Sequence, residues 1–158
     1  MKKIILVLLM LLLVPTFCCA SAPEIKFDKQ RFDPLSGTYY LTGNVSVKVG
    51  SRLITADQAQ VDLYALEVHA QGDIHLTQDD IEFYGDAVDV YGSKNTAEIT
   101  GHINFIHGET RITADKGSFN WDTKNAVFNG NVKIYDKTDI IKKAEHKTYN
   151  IRDAIFLD

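Results

Sequence analysis

The stretch Leu41-Thr-Gly-Asn-Val-Ser-Val47 decides the fold, because the chain writes it four times. Its counterparts are Ala70-Gln-Gly-Asp-Ile-His-Leu76, Ile99-Thr-Gly-His-Ile-Asn-Phe105 and Phe128-Asn-Gly-Asn-Val-Lys-Ile134. Their glycines, Gly43, Gly72, Gly101 and Gly130, are each 29 residues apart. A second column, Ile25, Ile54, Phe83, Ile112 and Ile141, keeps the same step. So do Asp28, Asp57, Asp86 and Asp115, until Ala144 breaks that column. The fragment Ile-Thr-Ala-Asp recurs verbatim at 54–57 and 112–115. Independent columns at one spacing, without gaps, identify a repeat architecture of about four and a half units.

Each unit holds two strand-like segments. In the first, Leu41, Gly43, Val45, Val47 and Val49 alternate with Thr42, Asn44, Ser46 and Lys48. Period-two alternation places one set on each face of a β-strand. The second type runs near 54–62, 83–91, 112–120 and 141–149. Its apolar parity slips by one position near the Asp, from Ile54 and Ala56 to Ala59 and Val61, which predicts a bulge or corner there. Turn-forming clusters such as Asp33-Pro-Leu-Ser-Gly37, Gln78-Asp-Asp80, Gly92-Ser-Lys-Asn95 and Asp136-Lys-Thr-Asp139 separate the segments. Past the first 22 residues no helical period is sustained. The fold class is therefore all-β: a sandwich, barrel or solenoid of repeated two-strand units.

The parity gives an expected interior. Val45, Ile74, Ile103 and Val132 form one inward column; Val47, Leu76, Phe105 and Ile134 form the next. Ile54, Phe83, Ile112 and Ile141 are expected to supply a facing wall. Phe119 and Trp121 either line a groove mouth or close the core. The recurrent glycine falls on the inward parity, where a missing side chain lets a strand bend or another backbone approach. Two readings of the interior stay open on the residues alone: a dry core, which any stacked repeat needs, or a lined apolar groove.

The N-terminus differs from the repeats. Lys2 and Lys3 precede an apolar run of 11 residues, Ile4 to Val14, and small residues follow from Cys18 to Ala22. This is the plan of a bacterial secretory signal peptide, expected over residues 1–20 with cleavage after Ala20. The domain is then 21–158. A retained anchor or a lipidated cysteine are the alternatives, although Thr16-Phe17-Cys18 before Cys19 matches a lipoprotein signal poorly. Both cysteines lie in this segment, so the mature chain is expected to carry no disulfide or thiol chemistry. Cleavage removes two of the 17 basic residues and none of the 21 acids, leaving a charge of −6. An acidic chain without a basic stripe is a poor nucleic-acid binder.

Enzymatic motifs are missing. There is no phosphate-binding glycine loop followed by Lys-Ser/Thr, no Gly-x-Ser-x-Gly and no His-Glu-x-x-His. Of the five histidines, His75 and His102 are expected to face outward near Asp73, as ordinary solvated residues rather than metal ligands. Asp79-Asp80 reads as turn chemistry. No cofactor is implied. Asn44-Val-Ser46 matches a glycosylation sequon, discounted because the export signal is bacterial.

The unit Tyr40-Leu-Thr-Gly-Asn-Val-Ser-Val, followed by Ile54-Thr-Ala-Asp-Gln-Ala-Gln-Val-Asp, resembles the OstA-like family. That family takes in the periplasmic lipopolysaccharide transport protein A, its membrane-anchored partner C and the N-terminal domain of the outer-membrane assembly protein D. The likeness covers essentially the whole mature chain; the second repeat departs from it at Asp73-Ile74 and Gly85-Asp86. The resemblance implies a half-open antiparallel β-jellyroll whose inward columns, with Phe119, bind lipid A acyl chains of lipopolysaccharide. It also implies a periplasmic location and head-to-tail association of such domains. The physics is compatible: one leaflet is about 15 Å deep, so three or four strands about 4.8 Å apart cover an acyl chain. The half-units near 25–33 and 150–157 would leave uncapped edges that can join in an open, filament-forming contact. The fold alternative is a β-solenoid with one coil per rung. The functional alternatives are a membrane-anchored partner of the same pathway and a β-repeat scaffold without ligand.

Overall fold

The structure, a computed structural model, describes residues 24–62 and 64–157. The expected leader, 1–20, lies outside the described residues. The strands are β1 (Glu24–Lys26), β2 (Lys29–Asp33), β3 (Thr38–Val49), β4 (Arg52–Asp62), β5 (Glu67–Gln78), β6 (Ile81–Tyr91), β7 (Thr96–His107), β8 (Thr110–Asn120), β9 (Asn125–Asp136), β10 (Asp139–Asn150) and β11 (Ile155–Phe156). A single 3-10 turn, Gly92–Lys94, interrupts them. Among the described residues no helix is long and apolar enough to cross a membrane.

The repeat is visible in these bounds. β3, β5, β7 and β9 begin at Thr38, Glu67, Thr96 and Asn125, in steps of 29. β4, β6, β8 and β10 begin at Arg52, Ile81, Thr110 and Asp139, in the same step. β1 and β2 together form one more copy of the second type, pairing with the two ends of β3. β11 begins the next copy of the first type.

All eleven strands belong to one antiparallel sheet, in which β3 to β11 follow one another in chain order. Equivalent residues are therefore two strands apart. Val47 pairs with Ile54, Ile54 with Leu76, Leu76 with Phe83, Phe83 with Phe105, Phe105 with Ile112 and Ile112 with Ile134. An intervening strand separates Val47 from Leu76 and Leu76 from Phe105, which excludes the solenoid.

A line of bulges folds this sheet on itself. Between the pairs Thr42–Gln58 and Val45–Ala56, Gly43 and Asn44 stand opposite Asp57 alone. The same count recurs with Gly72 and Asp73 opposite Asp86, and with Gly101 and His102 opposite Asp115. Two residues against one make a bulge, which bends its strand. The extra residue sits on the glycine strand, opposite the Asp, so the corner expected near the Asp falls on this line. Both residues of each Gly-x pair have positive φ, as in Gly101 (76°) and His102 (48°). The bulges divide the sheet into half-sheet A, with hairpin tips near 50, 79, 108 and 137, and half-sheet B, with tips near 36, 65, 93, 122 and 152.

Candidate functional site: the interior between the half-sheets

Half-sheet A presents the row Val47, Ile54, Leu76, Phe83, Phe105, Ile112, Ile134. Beside it Val45, Ile74, Ile103 and Val132 alternate with the small residues Ala56, Gly85 and Ala114. A side chain at Gly85 would run into Ile99 Cγ2 of half-sheet B, so the small positions let the two walls meet. Half-sheet B presents the row Tyr39, Val61, Val68, Val90, Ala97, Phe119, Ala126, Tyr149. Next to it run Leu41, Ala59, Ala70, Val88, Ile99 and Phe128.

This corrects the expected walls. Ile54, Phe83 and Ile112 do not face Val47, Leu76 and Phe105; they interleave with them on one wall. The facing wall is half-sheet B, whose inward residues the repeat pattern left unassigned apart from Phe119. Ile141, expected in the same column, is 64% exposed. The ladder skips it between Ile140 and Lys142, so Lys142 takes the place opposite Ile134.

Aromatic rings join the walls with an offset. Phe83 of β6 lies 6.3 Å from Phe119 of β8 and 6.0 Å from Phe128 of β9. Phe105 of β7 lies 5.3 Å from Phe128 of β9 and 5.8 Å from Tyr149 of β10. Across these aromatic rows half-sheet A therefore faces half-sheet B two or three strands later. Consequently the last strands of half-sheet A and the first of half-sheet B face nothing. Ile140 and Ile141 at one end, and Phe32 at the other, are exposed for this reason.

The middle is packed. Val45, Ile74, Leu76, Phe83, Ile103, Phe105, Ile112, Phe119, Val132 and Ile134 are each 2% exposed or less. Ile54 is buried and Val47 half-buried. Toward the N-terminal end the walls part around a cavity of about 100 Å³, lined by Val45, Val47, Ile54, Ala56, Val68 and Val90, with Arg52 at its edge. A dry apolar cavity of about 150 Å³ holds one benzene, so this space is smaller than a one-ring site. Phe119 closes the core, whereas Trp121 sits half-buried at the lip where hairpin tips of A and B meet.

Polar groups gather at that lip and on the outer faces. Arg52 Cζ lies 4.4 Å from the centre of the Trp121 ring, and Arg52 Nε donates to Gln78 Oε1 at 3.0 Å. Burial pulls the Arg52 pKa down from its ordinary value, against the raising effect of Asp79. His107 lies 2.8 Å from Tyr149 Oη through Nδ1 and 3.0 Å from Asp80 Oδ2 through Nε2. Asp80, read from sequence as turn chemistry, thus also holds a histidine. On the outer face His75 stacks on Tyr84 at 4.3 Å. The Tyr84 hydroxyl donates to Glu82 at 2.5 Å and is the first cause that lowers the Glu82 pKa, with His75 adding to it. His102, 91% exposed in its side chain, bonds Asp86 at 2.8 Å. Among the described residues no three His, Cys, Asp or Glu stand together as metal ligands.

One comparison with solved structures bears on this geometry. The chain superposes on LptH, the LptA-homologous periplasmic component of the lipopolysaccharide transport device from Pseudomonas aeruginosa. The TM-score is 0.66, over 81% of this chain and 94% of that one, at 13% sequence identity. This chain has the LptH fold. No family model and no curated protein matches the sequence. The LptH likeness thus agrees with the half-open jellyroll that the family resemblance implied.

Proposed function

We propose that this protein is a non-catalytic carrier of acyl lipid, working in the periplasm as a lipopolysaccharide transport component. The observation that carries the reading is the pair of apolar walls on one folded sheet, parted at the N-terminal end around a cavity and uncovered at both ends. LptH, which shares the fold, is a component of lipopolysaccharide transport. The lipid-binding residues are those of half-sheet A, namely Val45, Val47 and Ile54 at the cavity and Ile74, Leu76, Phe83, Ile103, Phe105, Ile112, Val132 and Ile134 deeper in, with Phe119 from half-sheet B. Each buried methylene contributes about 0.8 kcal/mol, so a multi-chain lipid leaves a membrane only for such a lining. Lipid that enters this interior exchanges wall contacts for lipid contacts. Residues 1–20 direct export. The unfaced strands at each end join head to tail with another domain of this fold, extending the lining.

Titration with an acyl probe that fluoresces in apolar surroundings tests this. The emission saturates, and added lipopolysaccharide reverses it. Val47→Asp, at the half-buried cavity rim, weakens binding about tenfold while the protein stays folded, because a carboxylate then lacks water or a partner. No probe binding by folded protein would leave a dry scaffold.

A further inference from the structure

The interior is closed along the seam where the hairpin tips of the half-sheets meet, and the closure is specific. His107 ends β7 on half-sheet A, and Tyr149 belongs to β10 on half-sheet B. His107 is 11% exposed in its side chain and Tyr149 1% overall. A carboxylate only accepts, so the Nε2–H of His107 donates to Asp80. In the neutral ring Nδ1 is then free to accept the Tyr149 hydroxyl proton. The result is a directed relay, Tyr149 to His107 to Asp80, that ties half-sheet B to two tips of half-sheet A. The Arg52–Trp121 contact makes a second tie along the seam. Trp121 is itself held by donation from Nε1 to Asn95 Oδ1 at 3.0 Å.

A cavity of about 430 Å³ opens at the seam, lined by Gln78, Asp80, Ile81, His107, Phe119 and Ile151 among others. Phe119 and Ile81 are core residues, 1% and 3% exposed. The relay therefore stands at an opening that reaches core residues. None of Arg52, His107 or Trp121 recurs in the other units. Position 121 corresponds to Gly92 and, past the residue skipped at Ile141, to Ile151; position 107 corresponds to Gln78 and Asp136. The repeat frame does not require these residues, which sets them apart from the Gly and Asp columns.

We propose that the seam is a lateral gate to the interior and that the Tyr149–His107–Asp80 relay is its latch. This rests on the carrier reading. A latch controls how fast the gate opens. It affects loaded and empty protein alike, so its loss speeds both loading and release and leaves the equilibrium nearly unchanged. A merely structural hydrogen bond lowers stability without this kinetic signature.

Stopped-flow loading and release of the acyl probe reads the difference. Tyr149→Phe removes the hydroxyl and keeps the ring; Asp80→Ala is a second variant at an exposed site that the core does not need. Both are expected to raise loading and release rates about fivefold, the factor given by one lost hydrogen bond of ordinary net strength. Affinity changes less than about twofold. Asn104→Ala removes the bond that Asn104 accepts from Arg111 on the outer face, away from the seam, and leaves the rates unchanged. Probe binding with rates unaltered in both seam variants, or raised equally by Asn104→Ala, overturns the gate and leaves the carrier. No binding by any form, wild type included, overturns the carrier and the gate with it.

Discussion

At the scale of the residue, the repeated Gly and Asp are one device. A Cβ placed on Gly101 would strike the Asp86 carboxylate, and its φ of 76° is one that L side chains rarely adopt. The carboxylate it would displace bonds His102, as Asp115 bonds Asn131 and Asp28 bonds Asn44. Gly101→Ala is expected to destabilise the protein by about 1–3 kcal/mol through strain at a special φ. Gly108→Ala, also at positive φ but with open space around it, costs about 1 kcal/mol. Denaturant unfolding of both variants checks the order, and Asp86→Ala combined with Gly101→Ala should lose less than the sum. Tyr149 supplies a pH test. Burial, the largest cause, holds its phenol pKa above the ordinary value of 10.0. The fold thus favours the protonated form. That contribution is whole below about pH 10 and is lost as pH rises through the native value. Thermal unfolding above about pH 10 should fall more steeply for wild type than for Tyr149→Phe; parallel curves would contradict this.

At the scale of the element, the strands were legible and their partners were not. Period-two alternation and the 29-residue step place every full strand, because local sterics and burial set both. What the period cannot show is which apolar columns share a wall. Ile54 and Val47 are neighbours across a hairpin, a fact of register rather than of spacing. The inward residues of half-sheet B were missed for a related reason. Past the Asp the parity slips, and small residues such as Ala59, Ala70 and Ala97 carry little hydrophobic signal although they are 5% exposed or less. Asp80 and Tyr149 were missed as partners of His107 because contacts across a fold line leave no periodic trace. Ile112 and Ile141 give the sharpest contrast, since they occupy one column in sequence. Ile112 is 0% exposed and Ile141 64%. Ile112→Ala should cost about 2–5 kcal/mol, whereas Ile141→Ala should stay within about 0.5 kcal/mol. Equal losses would mean that the end of half-sheet A is covered.

At the scale of the whole molecule, the offset of the walls explains both the closed middle and the open ends. A repeat whose halves meet two or three strands apart satisfies itself only in its centre, so a finite stack always leaves unfaced strands at both ends. Ile140 and Ile141 beside the β10 edge, and Phe32 at the other end, are what a further domain of the same fold would cover. Size-exclusion chromatography should therefore show apparent mass rising with concentration, and Ile140→Glu with Ile141→Glu should abolish the rise without unfolding. The same offset leaves the walls parted at the N-terminal end, where Val47 is half-buried, while Phe105 lies deep between them. Site-specific photocrosslinking at these two positions, in cells that make lipopolysaccharide, addresses the carrier reading most directly. Adducts that react with lipopolysaccharide antibody are expected from probes at Val47 and at Phe105, and none from the outward-facing Asn104. Folded, exported protein that gives no adduct at either interior position would contradict it and leave a repeat scaffold with a dry core.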